Sequence, residues 1–114
     1  MMNFALTDTQ KEIQLRAREF AQKEVAPGVL ERDRSEVFPM DLLKKLGDAG
    51  LIGVQFDPKY GGKGLDYLSF ILIVEELCKV DSAFGIAYAI SSTFTTGVDT
   101  FGSEEQKLHC MPRL

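Results

Sequence analysis

Apolar residues return every third or fourth position through most of this chain, and each such run is bounded by residues that start or stop helices. Ile13, Ala17, Phe20, Ala21 and Val25 fall on one stripe, with Lys11, Glu12, Arg16, Arg18, Lys23 and Glu24 around it. Thr7-Asp8-Thr9-Gln10 has the capping-box form, in which the threonine oxygen accepts a free backbone N–H and the glutamine reaches back to another, so a first helix is predicted to begin there. Pro27-Gly28 should break or kink it, with Val29 to Arg34 able to continue it. Pro39 suits the first turn of a second helix carrying Met40, Leu42, Leu43 and Leu46, and Gly50 is placed to close it in the left-handed conformation.

Leu51-Ile52-Gly53-Val54 leads into Asp57-Pro58-Lys59-Tyr60-Gly61-Gly62-Lys63-Gly64, too rich in glycine and proline for a helix. A third helix is predicted over Asp66 to Val80; Leu68, Ile71, Leu72, Glu75 and Leu77 are distributed so that most of its circumference is apolar, which implies a central position in the bundle. Asp81-Ser82 offers an N-cap for a fourth helix, running to Thr96 and ended by Gly97. Ser103-Glu104-Glu105-Gln106 is a second capping box, opening a last helix that Pro112 limits. No alternating strand pattern and no internal repeat is visible. The expectation is an all-α domain over 1–114, with about five helices in an up-and-down bundle.

At 114 residues, 45% hydrophobic and 26% charged, the chain has the size and balance of one globular domain. Its formal charge of −4 argues against nucleic acid, which needs a concentrated basic surface. No apolar run approaches the roughly 20 residues of a membrane span. The early Asp8, Glu12 and Glu19 argue against a signal or transit peptide, so an intracellular protein is expected, or one whose targeting segment has been removed.

Cys78 and Cys110 lie too far apart for metal-ligand spacing, and two free buried thiols are expected. His109 has no Cys or His at ligand spacing and reads as an ordinary helix residue. Adjacent Glu75 and Glu76 point about 100° apart on a helix, so they cannot face one another as a catalytic pair. One is expected in solvent and the other paired to a neighbouring helix. The glycine-rich loop lacks the G-K-[ST] ending of a phosphate cradle, and a turn needing positive φ is the plainer reading. Ser82, Ser91, Ser92 and Ser103 have no histidine and aspartate arrangement behind them, so no catalytic residue is assigned.

Phe84 to Thr96 contains no charged residue, with Ile86, Ala89, Ile90 and Thr93 on one face and Tyr88, Ser91, Ser92 and Thr95 on others. Such a helix either lies inside the bundle or faces another domain or an apolar ligand, and residue types alone leave the two readings level.

Four segments in order carry a resemblance: Leu6-Thr7-Asp8-Thr9-Gln10, the loop Asp57 to Gly64, Val74-Glu75-Glu76-Leu77-Cys78-Lys79-Val80-Asp81, and Phe101-Gly102-Ser103-Glu104-Glu105-Gln106-Lys107. Together they make the chain resemble the N-terminal helical domain of acyl-CoA dehydrogenases over essentially its whole length. The resemblance implies α,β-dehydrogenation of a fatty or branched-chain acyl-CoA, with a glutamate taking the α-proton and FAD the β-hydride. It also implies electron-transfer flavoprotein as acceptor and a homo-oligomer, usually a tetramer. The catalytic glutamate and most flavin contacts belong to a β domain and a second helical domain beyond residues 1–114, so this piece is not expected to be active alone.

The family's N-terminal domain walls one side of the acyl pocket, through a helix matching Phe84 to Thr96. That tips the level choice toward ligand contact, with Ile86, Ala89, Ile90 and Thr93 lining the tail end of the cavity. The same face, uncovered, is expected to promote self-association. A same-fold oxidase, such as a nitroalkane oxidase-like or acyl-CoA oxidase-like enzyme, and a stand-alone helical interaction module are the alternatives.

Overall fold

The computed structural model describes residues 1–113, and within them the fold is all-helical. Helix α1 (Asp8–Phe20) starts at the expected capping box: the Thr7 hydroxyl accepts from the Gln10 N–H at 3.2 Å, and the Gln10 side chain accepts from the Thr7 N–H at 2.9 Å. Its stripe of Ile13, Ala17 and Phe20 is buried. The helix does not stop there but widens into a π-helical turn, Ala21–Val25, which keeps Ala21 and Val25 buried as predicted.

Gly28, at φ 84°, then turns the chain into a separate short helix, α2 (Val29–Ser35). This is one reason the described residues hold six α-helices where about five were expected: the left-handed glycine makes a corner, whereas proline alone would have made a kink. Helix α3 (Met40–Asp48) buries Leu42 and Leu46, and Gly50, at φ 74°, closes it as expected. The irregular segment that follows contains one 3-10 turn, Pro58–Tyr60.

Helix α4 (Tyr67–Val80) is the central one, packed on α1 along one side and on α5 (Ser82–Phe101) along another. Its burial corrects the sequence reading in detail. Leu68 and Ile71 are about half exposed, while Phe70, Leu72, Ile73 and Leu77 point inward with Ser69 and Glu76. A helix apolar nearly all round does not declare its inner face; the polar partners decide it. Ser69 Oγ donates to Asp66 Oδ1 at 2.7 Å, and the Glu76 carboxylate takes both Arg18 Nε (3.2 Å) and Arg18 Nη2 (3.0 Å) from α1.

A second correction concerns α5, which passes through Gly97 and ends at Gly102. A lone glycine in a helix costs about 1 kcal/mol, too little to stop a helix whose last turns pack. Val98 rests on the small cluster of Phe56, Tyr60 and Met111, and Gly102 donates to the Val98 carbonyl at 2.8 Å. The chain then turns at the Ser103 capping box into α6 (Glu104–Cys110) and a 3-10 turn, Met111–Arg113.

The whole measures 42 × 40 × 20 Å, with a radius of gyration of 14.8 Å against about 13 Å for a compact chain of this length. It is a slab about two helix diameters thick. Every long helix therefore has an outer face. One polar tie crosses the core: the Tyr88 hydroxyl donates to the Leu51 carbonyl at 2.8 Å, anchoring α5 to the segment after α3. Burial raises the Tyr88 phenol far above its ordinary range. Tyr88→Phe should lose about 1–2 kcal/mol by leaving that carbonyl without a donor, measured as a fall in chemical-denaturation midpoint at unchanged m-value.

Candidate functional site

Helix α5 divides its residues between two opposed faces, one buried in the domain and one open. Phe84, Gly85, Tyr88 and Thr95 are buried against the body of the domain. The approach there is close: a Cβ added at Gly85 would lie 2.3 Å from Cys78 Sγ and 2.9 Å from the Cys78 nitrogen on α4. Phe70 and Tyr88 stack tilted, with ring centroids 5.5 Å apart. Serines near this face are occupied by their own helix, Ser91 Oγ donating to the Tyr88 carbonyl (2.7 Å) and Ser92 Oγ to the Ala89 carbonyl (2.8 Å). They are poorly placed as nucleophiles.

On the other face Ile86 is 54% exposed and Ile90 63% exposed. Thr93 is exposed beside them, while Ala89 is half-buried and packs toward the core. Of the four predicted wall residues the fold thus places three on one open face and turns the fourth partly inward. The same face continues through residues the sequence reading missed: Ala83 before Ile86, then Phe94 (60% exposed), Gly97 and Phe101 (88% exposed). Their signal was present as steps of three and four on both sides of Ile86 and Ile90; ending the helix at Gly97 removed Phe101, while Ala83 and Phe94 lay within the predicted helix and were passed over.

A small cavity of about 150 Å³ lies behind α5, between it and the irregular segment. Ile52, Phe56, Tyr60, Tyr88, Ser91 and Met111 are among its lining residues.

The glycine-rich loop is not a phosphate cradle, because its N–H groups are already spent. Lys59 N donates to Asp57 Oδ1 (2.8 Å), and the N–H groups of Tyr60, Gly61, Gly62, Lys63 and Gly64 all reach backbone carbonyls between Gly53 and Pro58. Gly61 and Gly64 have positive φ, as expected of a turn; Gly62 does not, and its smallness serves a close backbone contact instead. The loop is tied to α6 through Tyr60, whose hydroxyl donates to Glu104 Oε2 at 2.7 Å, and through a Lys59–Glu104 ion pair. The hydrogen bond to the anionic Glu104, followed by burial, raises the Tyr60 phenol.

The two glutamates separate as expected. Glu75 is about half exposed, and Glu76 is 3% exposed in the grip of Arg18 and Lys79. Cys78 and Cys110 are free but only half-buried, a correction to the expectation of buried thiols. Burial, and then the charge of Asp81, raises the Cys78 thiol and keeps it protonated. Among the described residues no three His, Cys, Asp or Glu side chains gather as metal ligands, and no helix is long and apolar enough to cross a membrane.

Comparison with known proteins bears on what this open face belongs to. A family model described as acyl-CoA dehydrogenase, N-terminal domain, matches residues 7–114. The short-chain specific acyl-CoA dehydrogenase of Clostridium acetobutylicum is 41% identical over 107 residues, covering 93% of this chain and 28% of the relative. Butyryl-CoA dehydrogenase from Megasphaera elsdenii superposes with a TM-score of 0.89 at 37% identity, over 97% of this chain and 30% of that one. A chain from the structure of the electron transferring flavoprotein of Acidaminococcus fermentans superposes with a TM-score of 0.90 at 45% identity, again over 97% and 30%. This chain spans about three tenths of the length of the proteins it matches.

Proposed function

Because the chain belongs to the acyl-CoA dehydrogenase family, as its N-terminal domain, we propose that it serves as one wall of an acyl-binding pocket in an FAD-dependent enzyme. The reaction proposed for the whole enzyme is α,β-dehydrogenation of an acyl-CoA, with electrons passing to an electron-transfer flavoprotein. The observation that carries this reading is the open face of α5, where Ile86, Ile90 and Thr93 stand exposed on a helix with no charged side chain between Asp81 and Asp99. An alkyl chain laid there meets branched aliphatic carbon and a threonine, and it displaces water without stranding a charge. Ala89, half-buried at the edge of the face, leaves room beside the isoleucines.

The chain's contribution is binding and exclusion of water. No chemical step is assigned to its residues. The 114-residue chain incubated with FAD and desalted is accordingly expected to be colourless.

The decisive experiment grafts residues 1–114 in place of the matching segment of the Megasphaera butyryl-CoA dehydrogenase. The graft is expected to keep its flavin and to be bleached by butyryl-CoA. Ile90→Lys in that graft should raise KM about tenfold or more with flavin retained, because an ammonium would replace alkyl contact in a dry pocket. Unchanged kinetics in the Ile90→Lys graft would remove α5 from the pocket. Yellow flavin held by the short chain alone would overturn the division of labour.

A further inference from the structure

We propose that Arg32 is a positioning residue for the acyl wall: by holding Asp81, it fixes the direction in which α5 leaves α4. The inference rests on the pocket reading and adds to it a residue that stands off the open face. Helices α4 and α5 are separated by Asp81 alone, which closes one and opens the other. Its N–H donates to the Leu77 carbonyl at 2.9 Å and its carbonyl accepts from the Gly85 N–H at 2.9 Å, so each helix is bonded directly to this residue. Two dihedrals of one extended residue, φ −145° and ψ 98°, then decide the angle of the corner.

The Asp81 carboxylate divides its two oxygens between two tasks. Oδ1 accepts from the Phe84 N–H at 3.2 Å and caps α5, while Oδ2 accepts from Arg32 Nε at 3.3 Å and Nη2 at 3.1 Å. Holding one oxygen fixes the plane of the carboxylate and so aims the other. Arg32 is in turn placed by the local sequence. Gly28 starts α2 in the left-handed conformation, and the Arg32 N–H donates to the Gly28 carbonyl at 2.9 Å. The side chain reaches back toward the helix start, where Nη1 donates to the Pro27 carbonyl at 3.1 Å and Nη2 to the Val25 carbonyl. Helix α2 buries no residue, so this grip is polar and not a by-product of core packing. The Arg32 side chain is 20% exposed and that of Asp81 11%, which makes the loss of either partner strongly unfavourable for the other.

The bearing of this pair on the wall is a matter of leverage. Ile86 and Ile90 follow Asp81 by five and nine residues, roughly 8 and 14 Å along the helix axis. A swing of about 5° at the corner moves Ile90 by about 1 Å, enough to change how it meets an alkyl chain. The close approach of Gly85 to Cys78 and the bond from Tyr88 to Leu51 keep α5 on the domain without Arg32. Without it, however, Asp81 is a largely buried carboxylate with no cation, and rotating toward water drops the cap. Lysine is no equal substitute, since an ammonium cannot span Asp81 and two carbonyls with one planar fork.

Two measurements test this. In the 114-residue chain, hydrogen exchange at the Phe84 and Gly85 amides should rise at least about tenfold in Arg32→Met, with the Ile73 and Leu77 amides of α4 unchanged. In the butyryl-CoA dehydrogenase graft, Arg32→Met should raise KM about fivefold with kcat within about twofold and flavin retained, and Arg32→Lys should restore part of the loss. A side chain that only stabilised the fold would lower the melting midpoint and leave KM alone well below it. Unchanged exchange at Phe84 and Gly85 would overturn the proposal. So would an unchanged KM in Arg32→Met while Ile90→Lys raises it, which marks Arg32 as structural. If neither variant moves KM, it is the pocket reading that has failed, and the positioning role falls with it.

Discussion

Gly62→Ala is expected to cost more than about 3 kcal/mol. The new Cβ would stand 2.1 Å from the Phe56 carbonyl oxygen and 2.4 Å from its carbon, and both are backbone atoms. Phe56 cannot step aside. Its ring is buried with Tyr60 and Met111, its N–H donates to the Gly53 carbonyl at 3.2 Å, and its own carbonyl accepts from Gly64 at 2.8 Å. Relief requires opening the loop, which sacrifices the bonds from Lys63 to Gly53 (3.3 Å) and from Leu65 to Val54 (2.8 Å). For a domain of this size the thermal midpoint should fall by roughly 10–20 °C, measured by far-UV circular dichroism. Gly97→Ala is the contrasting control and should gain about 0.5–1 kcal/mol, since it adds helix propensity in open space. A Gly62→Ala protein melting within a few degrees of the parent would show that the loop has slack.

The second large effect belongs to Glu76. Glu76→Ala should lose about 2–4 kcal/mol, because it removes the polar tie between α1 and α4 and leaves a hole beside the core. Glu76→Gln keeps the shape and should lose less, yet it should change the response to acid. The hydrogen bond from Arg18 holds the Glu76 carboxyl below the usual carboxylate range; burial opposes this, and Lys79 adds to it. A depressed folded-state pKa means a contribution fully present above the unfolded value, near pH 4.3, and lost as pH falls through the folded value. Asp66 is lowered in the same direction, first by the Ser69 hydroxyl, then by the Ser69 N–H and the Gln10 side chain. Stability should therefore decline below about pH 4, and more gently in Glu76→Gln than in the parent. Equal acid slopes in urea titrations at pH 5, 4 and 3 would remove Glu76 from the account.

What the sequence disclosed and what it concealed divide along a physical line. Local chemistry was readable: Thr7, Asp81 and Ser103 cap helices as expected, because a cap is decided within four residues. The stripe of α1 was readable because its other faces are charged. The inner face of α4 was not, since apolar residues surround it and the choice among them rests on Arg18, far away in sequence. The end of α5 was misplaced because a glycine inside a helix and a glycine after one look alike until the packing of Val98 is known. At the candidate site, periodicity placed Ile86, Ile90 and Thr93 on one face, and the structure leaves all three exposed there. Phe101, on the same line, was lost with the misplaced helix end, whereas Phe94 lay within the predicted helix and was passed over.

The two anchorages of α5 have a consequence for whatever meets its open face. At its start, Asp81 caps the helix at the Phe84 N–H (3.2 Å) and is held by Arg32 Nη2 (3.1 Å). The same guanidinium binds the Val25 and Pro27 carbonyls at the end of the π-helical turn. Toward its far end, Val98 bears on Phe56, Tyr60 and Met111. The helix is a beam supported near both ends and bare along its outer side, and a ligand pressing on the middle has no loose end to tilt. Contact there costs little reordering of the protein, so affinity at this face should follow shape match rather than induced movement.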